Sequence, residues 1–242
     1  MMKDLIILGS TGSIGISTLN LIRKDKKNFN VKLLTTNNNI HKIYKQAVEF
    51  KVKEIVIFNK QKYIKFSKRF KKKKIKVFFS IEEVYKKRNN KVFLTINAIS
   101  GIDGLEPTLN IIKYSKNIAI ANKESIICGW KFIKKELKKN KSNFIPLDSE
   151  HFSIWSLLNG DNVNNIKKIY LTASGGPFLR KKLSQVKNIQ PKYALKHPNW
   201  KMGKKISIDS ATMMNKIFEI IEAVNIFNLN TKKFDILIHP KS

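Results

Sequence analysis

The residues able to do chemistry crowd into one stretch, HPNWKMGKKISIDSATMMNKIFE, at positions 197–219. With a helix starting at Asp209 or Ser210, the Asn215 amide, the Lys216 ammonium and the Glu219 carboxylate fall at i, i+1 and i+4 and share roughly one face. Ser210 then lies in the first turn, where unpaired backbone N–H groups and the positive end of the helix dipole favour a phosphate. Met213, Ile217, Ile220 and Ile221 supply the stripe that such a helix buries. A capped amphipathic helix explains those apolar residues and leaves the polar ones unexplained.

A second constellation is Asp148-Ser149-Glu150, reached by a strand at residues 143–147. Along an extended segment, positions i and i+2 point to one side, so both carboxylates can meet one ligand. Two hard oxygen donors and a third carboxylate suit Mg²⁺ or Mn²⁺, which keep open positions for water and substrate oxygens. Glu219 is the expected third ligand, with Glu222 next in line on the same face. The competing role for Asp148 or Ser149 is to cap a helix at residues 151–158, with Glu150 in its first turn. Residues 142–166 contain no Lys or Arg, although the chain's basic content predicts about five there. Asp148, Glu150 and Asp161 fall inside that window, where a cation would sit comfortably.

These groups need a scaffold, and the rest of the pattern describes one. The apolar run at residues 5–8 ends in Gly9-Ser-Thr-Gly12-Ser-Ile-Gly15 and is followed by a periodic segment through Ile22. This reads as strand, glycine loop and helix, the arrangement that lets backbone approach a pyrophosphate at a helix N-terminus. Its spacing is G-x-x-G-x-x-G, not the G-x-G-x-x-G of the usual dinucleotide fingerprint. A second strand, residues 31–35, leads into Asn37-Asn38-Asn39. No Asp or Glu stands there for ribose hydroxyls, which favours NADP over NAD.

Further strands are expected at residues 54–58, 75–79, 92–99 and 118–122, with helix-period segments such as 40–50 and 105–114 between them. That alternation specifies a doubly wound parallel sheet. Ile99-Ser100-Gly101 and Ala121-Asn122-Lys123-Glu124-Ser125 follow strand ends, where such sheets bind ligands. A helix at 124–139 ends in lysines that suit its dipole. Strands are also expected at 169–173, followed by Ser174-Gly175-Gly176, and at 234–238. The paired glycines expose N–H groups to an anion. Residues 191–203 are polar, aromatic-tipped and aperiodic, as in a mobile lid carrying His197 and Trp200.

With 242 residues and 42% hydrophobic content, the chain can fill one large or two modest cores. A net charge of +31 would ordinarily point to nucleic acid or an anionic surface. The lysines, however, are spread through nearly every expected helix and turn, and the dense run at 71–74 falls between two elements as solvated charge does. Neither nucleic acid nor membrane is therefore an expected partner. The single cysteine, Cys128, precludes an internal disulfide and suits a reducing compartment. Four scattered histidines leave any metal to the carboxylates. No run approaches the roughly 18 apolar residues of a membrane span, and the N-terminal one stops at Gly9, too early for a signal peptide. A cytosolic protein is expected.

Taken together and in order, GSTGSIG, ANKES, LDSEH, ASGGPF, HPNWKMGKKISIDSATMMNK and ILIHPKS resemble the 1-deoxy-D-xylulose 5-phosphate reductoisomerase family across the whole chain. The resemblance implies a Rossmann-like NADPH domain at residues 1–146 and an α+β catalytic domain at 147–242, with the family's C-terminal helical domain absent. It also implies a homodimer where the full catalytic domain is present. Thr11, Gly12, Ser13 and Ile14 would line the NADPH phosphates, with Asn37, Asn38, Asn39, Asn122, Glu124 and Gly203 also touching the cofactor. Family members commonly carry Gly-Lys-Asn where this chain has the three asparagines. Asp148, Glu150 and Glu219 match metal ligands. Lys123, Ser149, Ser174, His197, Ser210, Asn215 and Lys216 match positions that bind the phosphorylated sugar, and Trp200 matches the lid aromatic. The implied reaction rearranges 1-deoxy-D-xylulose 5-phosphate to an aldehyde and reduces that to 2-C-methyl-D-erythritol 4-phosphate, in isoprenoid biosynthesis, with a divalent ion as Lewis acid and NADPH as hydride donor. The alternatives are an inactive remnant of such an enzyme and a basic nucleic-acid-binding protein.

Overall fold

The structure is a computed structural model that describes residues 2–71, 73–86, 90–158, 160, 163–196 and 203–239. The chain divides into two compact units, Met1–Asp148 and Ser149–Ser242.

The first unit runs β1 (Lys3–Leu8), α1 (Ser13–Lys24), β2 (Phe29–Thr36), α2 (Ile40–Glu49), β3 (Glu54–Ile57), α3 (Lys60–Lys71) and β4 (Lys76–Phe78). It continues with α4 (Ile81–Tyr85), β5 (Val92–Asn97), α5 (Leu105–Ile112), β6 (Ser115–Ile120), α6 (Lys123–Asn140) and β7 (Asn143–Pro146). The seven strands form one sheet in the order β4-β3-β2-β1-β5-β6-β7, every pairing parallel. A parallel sheet is covered on both faces, which is why β3 is buried at all four positions and β1 at its last four. Leu19 and Ile22 of α1 and Ile40, Ile43 and Ala47 of α2 supply the helical side of one core cluster with Leu5, Ile7, Leu34 and Ile55. The strand order reverses between β1 and β5, so the crevice past their carboxyl ends is the ligand position for this topology.

The second unit runs α7 (Ser149–Leu158), β8 (Ile169–Ala173), α8 (Leu183–Val186), α9 (Pro191–Ala194), α10 (Lys204–Ala211), α11 (Met214–Phe227) and β9 (Phe234–Ile238). β8 and β9 pair in parallel, Ile169 opposite Phe234 and Ala173 opposite Ile238. Ile154, Leu171, Ala223, Leu229 and Phe234 form its core, with Ile220, Val224 and Phe227 packed against them. Among the described residues, no helix is long and apolar enough to cross a membrane.

The glycine loop after β1 shows why its spacing matters. A Cβ on Gly15 would lie 2.6 Å from the Gly9 carbonyl oxygen, whereas one on Gly12 would lie 3.4 Å from the same atom. Gly15→Ala should therefore destabilise the first unit by about 1–3 kcal/mol through overpacking, while Gly12→Ala leaves its thermal midpoint nearly unchanged. Equal midpoints for both variants in a calorimetric scan would contradict this packing.

Candidate active site

In the first unit the glycine loop is held from behind. Gly9, at φ +72°, donates its N–H to Thr35 Oγ1 at 2.8 Å, and Gly12 donates to the Gly9 carbonyl at 3.1 Å. Ser10 is buried and exchanges hydrogen bonds with Gln46 of α2, hydroxyl to Oε1 and Nε2 to carbonyl, both 2.9 Å. Thr11 meets Thr36 through their hydroxyls at 2.9 Å. Gly12, Ser13 and Ile14 are left exposed at the N-terminus of α1, where first-turn N–H groups have no partner within the helix. That surface matches the geometry of a phosphate cradle.

The asparagines expected to touch cofactor are also structural. Asn39 caps α2 by accepting from Lys42 N, Asn38 accepts from Asn59 Nδ2 at 3.0 Å, and Asn37 is exposed. Asn122 caps α6 by accepting from Ser125 N at 2.9 Å, while its Nδ2 donates to the Ile99 carbonyl at 2.6 Å. It thereby ties the loop after β5 to the end of β6. Glu124 lies in the first turn of α6. Lys123, one residue earlier, forms an ion pair with Asp148. Both side chains are largely shielded from solvent, at 14% and 18% exposure.

In the second unit the expected groups gather around Lys216. Its Nζ donates to Glu150 Oε1 at 2.7 Å and lies 2.6 Å from Glu219 Oε2. Carboxylate oxygens of the two glutamates come within 4.8 Å of each other. Ser149 Oγ donates to Glu150 Oε2 at 2.7 Å, and Asn215 Nδ2 donates to Glu219 Oε1. Asn215 Oδ1 is buried without a hydrogen-bond partner. Burial by itself would lower the Lys216 pKa, but its hydrogen bonds and charge interactions with Glu150 and Glu219 together outweigh that and raise it above the ordinary lysine value.

Beside this cluster lies a small cavity lined by Ala173, Ser174, Gly175, Ser210, Met213, Asn215 and Lys216. Its shape depends on the paired glycines. Gly175 and Gly176 have φ of +81° and +68°, and a Cβ on Gly176 would stand 2.5 Å from the Ser210 carbonyl oxygen. Ser174, Ser210, Asn215 and Lys216, all expected to bind a phosphorylated substrate, thus share one cavity wall.

Three expectations are corrected. Asp209 and Ser210 do not open a helix; they lie in the last turn of α10. The chain breaks at Thr212, whose hydroxyl donates back to the Asp209 carbonyl, and at Met213, which is left-handed at φ +59°. α11 then begins at Met214, placing Asn215 and Lys216 in its first turn. Second, Asp148 and Glu150 do not alternate along a strand. β7 ends at Pro146, and Ser149 and Glu150 are already in α7. Third, the face that α11 buries is Lys216, Glu219, Glu222 and Ala223, while Ile217 is 45% exposed. Ile220 alone of the expected stripe packs into the core cluster.

His197 and Trp200, with the rest of residues 197–202 of the expected lid, lie outside the described residues; Pro191–Ala194 is a short helix, and Gly203 caps α10. Sequence reasoning missed His151. It is fully buried, donates Nε2–H to the Glu219 carbonyl at 2.8 Å and places Nδ1 3.8 Å from Glu222. The only available signal was its place directly after Glu150.

The doubly wound parallel sheet, with its glycine turn at the reversal of strand order, makes this a Rossmann-like α/β protein joined to a second unit rich in buried charge. The sequence model of 1-deoxy-D-xylulose 5-phosphate reductoisomerase matches residues 5–129, and that of the same enzyme's C-terminal domain matches residues 144–227. The chain belongs to the 1-deoxy-D-xylulose 5-phosphate reductoisomerase family. It is 58% identical to the reductoisomerase of Pelagibacter ubique over all of its own length and 63% of that protein's, and 43% identical to that of Clostridium tetani. Its structure superposes on the Zymomonas mobilis reductoisomerase in complex with NADPH with a TM-score of 0.89 at 33% identity, covering 100% of this chain and 62% of that one. A reductoisomerase in complex with NADPH, fosmidomycin and magnesium gives a TM-score of 0.87 at 37% identity, over 99% of this chain and 62% of that one. The chain thus spans a little under two thirds of the length of the relatives it matches.

Lys216, itself only 8% exposed, supplies one positive charge between Glu150 and Glu219. A lysine whose pKa is raised on folding contributes stability that is complete below its unfolded value, about 10.4, and lost as pH rises through the folded value. Lys216→Met should lower the stability of the second unit by about 2–4 kcal/mol at pH 7, by leaving buried carboxylates uncompensated. The deficit relative to wild type should shrink above about pH 10.5. A deficit that stays constant from pH 7 to 11 would count against the ion-pair role.

Proposed function

We propose that this chain carries out the NADPH- and divalent-metal-dependent conversion of 1-deoxy-D-xylulose 5-phosphate to 2-C-methyl-D-erythritol 4-phosphate. The observation that carries the reading is the Glu150–Lys216–Glu219 cluster beside a cavity lined by Ser174, Ser210, Asn215 and Lys216. Hard carboxylate oxygens next to a hydroxyl- and ammonium-lined cavity are the donor set for a divalent ion beside a phosphate ester.

Asp148, Glu150 and Glu219 would hold the ion, Mg²⁺ or Mn²⁺. Two of the three are already oriented by neighbours, Glu150 by Ser149 and Glu219 by Asn215. The loop Thr11, Gly12, Ser13 and Ile14 would cradle the NADPH pyrophosphate, a close approach that suits its exposed N–H groups and packed glycines. Asn37, Asn38, Asn39, Asn122, Glu124 and Gly203 would complete that site. When bound, the ion supplies Lewis acidity at the substrate's carbonyl and hydroxyl oxygens, and NADPH supplies the hydride.

The chain's own groups do the positioning. Ser174, Ser210 and Lys216 grip the phosphate away from the reacting carbons, and that remote binding is available to orient them. The unpartnered Asn215 Oδ1 accepts from a substrate hydroxyl. Lys123 steadies negative charge developing near Asp148, and His197 and Trp200 cover the bound sugar. A homodimer and a cytosolic location complete the reading; the single cysteine, Cys128, is a free thiol, which suits a reducing compartment.

The test is oxidation of NADPH on addition of 1-deoxy-D-xylulose 5-phosphate, with and without a divalent ion. Wild type should turn over only when the ion is present. Glu219→Gln, which keeps size and removes a charge, should cut the rate at low Mg²⁺ by at least roughly tenfold and shift the metal titration to higher concentration. An unshifted titration would remove Glu219 from the ligand set, and no turnover in either condition would refute the activity for this chain.

A further inference from the structure

An NADP site must meet the 2′-phosphate with positive charge, and a doubly wound fold presents the adenosine ribose at the carboxyl end of its second strand. In this chain the three residues just beyond β2 are Asn37, Asn38 and Asn39, which bring no cation. A groove of about 400 Å³ opens at that place, lined by Asn38, Asn39, Ile40, His41, Lys62 and Phe66. Its size falls in the range of small-molecule sites. The lining mixes two amides, an imidazole and an ammonium with an aromatic floor, and carries no carboxylate.

The cation in that groove comes from a different element, α3. Lys62 is half-buried, with its Nζ 6.0 Å from the centre of the Phe66 ring. Its backbone is fixed to the asparagine turn. Asn59 Oδ1 accepts from Lys62 N at 2.9 Å, and the other end of the same amide donates to Asn38 Oδ1 at 3.0 Å. One side chain thus joins the start of α3 to the end of β2, so Lys62 is positioned on the groove before any ligand arrives. Asn39 is meanwhile spent on capping α2. His41, in the first turn of α2, adds an imidazole to the same lining.

We propose that Lys62 is the residue that selects a 2′-phosphorylated adenine dinucleotide over its unphosphorylated counterpart. Asn38 and Asn59 act as positioning residues, and His41 is a second donor. The inference rests on the reading of the first unit as an NADPH site and names the charge that reading requires.

The test is equilibrium binding, by calorimetry, of NADPH, NADH and 2′,5′-ADP to the 242-residue chain. Wild type should prefer NADPH to NADH. Lys62→Ala should weaken NADPH and 2′,5′-ADP by about tenfold, or ~1.4 kcal/mol, at the low end for a charge-assisted contact because the site is partly open to water. NADH binding should not change. Lys62→Arg should restore most of the preference, and Lys135→Ala, an exposed charge on α6, should leave it intact. An equal loss for NADPH and NADH, or the same selective loss from Lys135→Ala, would overturn the assignment to Lys62 while leaving the dinucleotide site in place. Wild type that binds neither dinucleotide would overturn both.

Discussion

A buried ammonium held between one buried carboxylate and one partly exposed one is the constraint on which the second unit depends. Glu219 is 1% exposed and Lys216 8%, and both project from the buried side of α11. Desolvating such groups costs several kcal/mol each, and that cost is recovered only where geometry is good and the remaining lone pairs are occupied. Here Ser149 and Asn215 occupy two of them, and His151 locks the Glu219 carbonyl from behind. A hydrophobic stripe would have packed α11 more cheaply. Lys216, Glu219 and Glu222 are buried there beside Ala223 instead, the kind of departure from pure packing that fold-level consistency leads one to expect at functional sites.

The first unit solves a different problem. Its glycine loop exposes bare backbone at the N-terminus of α1 without leaving buried polar groups unmet. Gly9 and Gly15 let the loop pack tightly against Ala98 and against itself, and Thr35, Thr36, Ser10 and Gln46 satisfy it from the protein side. The asparagines do similar work at neighbouring strand ends. Asn122 links the loop after β5 to the end of β6, and Asn38 links a turn to α3 through Asn59. A short amide can donate and accept at once, so one residue both terminates a strand and pins the next element.

Period and punctuation explain what was legible in the sequence. The described strands were expected within a few residues of where they lie, most of those in the first unit because buried parallel strands read as short apolar runs followed by Gly, Asn or Ser. The four groups lining the second unit's cavity were legible as residue types. Their arrangement was not. The register of α10 and α11 turns on Met213 adopting a left-handed conformation, and methionine gives no local sign of that. The reversal of α11 was equally hidden, since Ile217 and Lys216 are adjacent and only tertiary packing decides which faces inward. Lys62 went unnoticed because it is one lysine in a chain with 48 Lys and Arg, and only the Asn38–Asn59 bridge singles it out.

That abundance sharpens the meaning of the basic-free window at residues 142–166. Flexible surface lysines are strong competitors for exposed carboxylates, and in this chain nearly every surface element carries them. Glu150 stands inside the window, at the start of a helix with no basic residue in its last turn. The ammonium that reaches it comes from α11, held in place by a second glutamate three residues along the same helix. A fixed ammonium contributes one positive charge to two carboxylates, so these three groups keep a net negative charge, which under the proposed function would favour one more cation. Mobile lysines would have erased that preference by pairing indiscriminately. Excluding them from the flanking sequence leaves the remaining charge to a partner that can be bound in a single geometry, which is the property a catalytic ion must have.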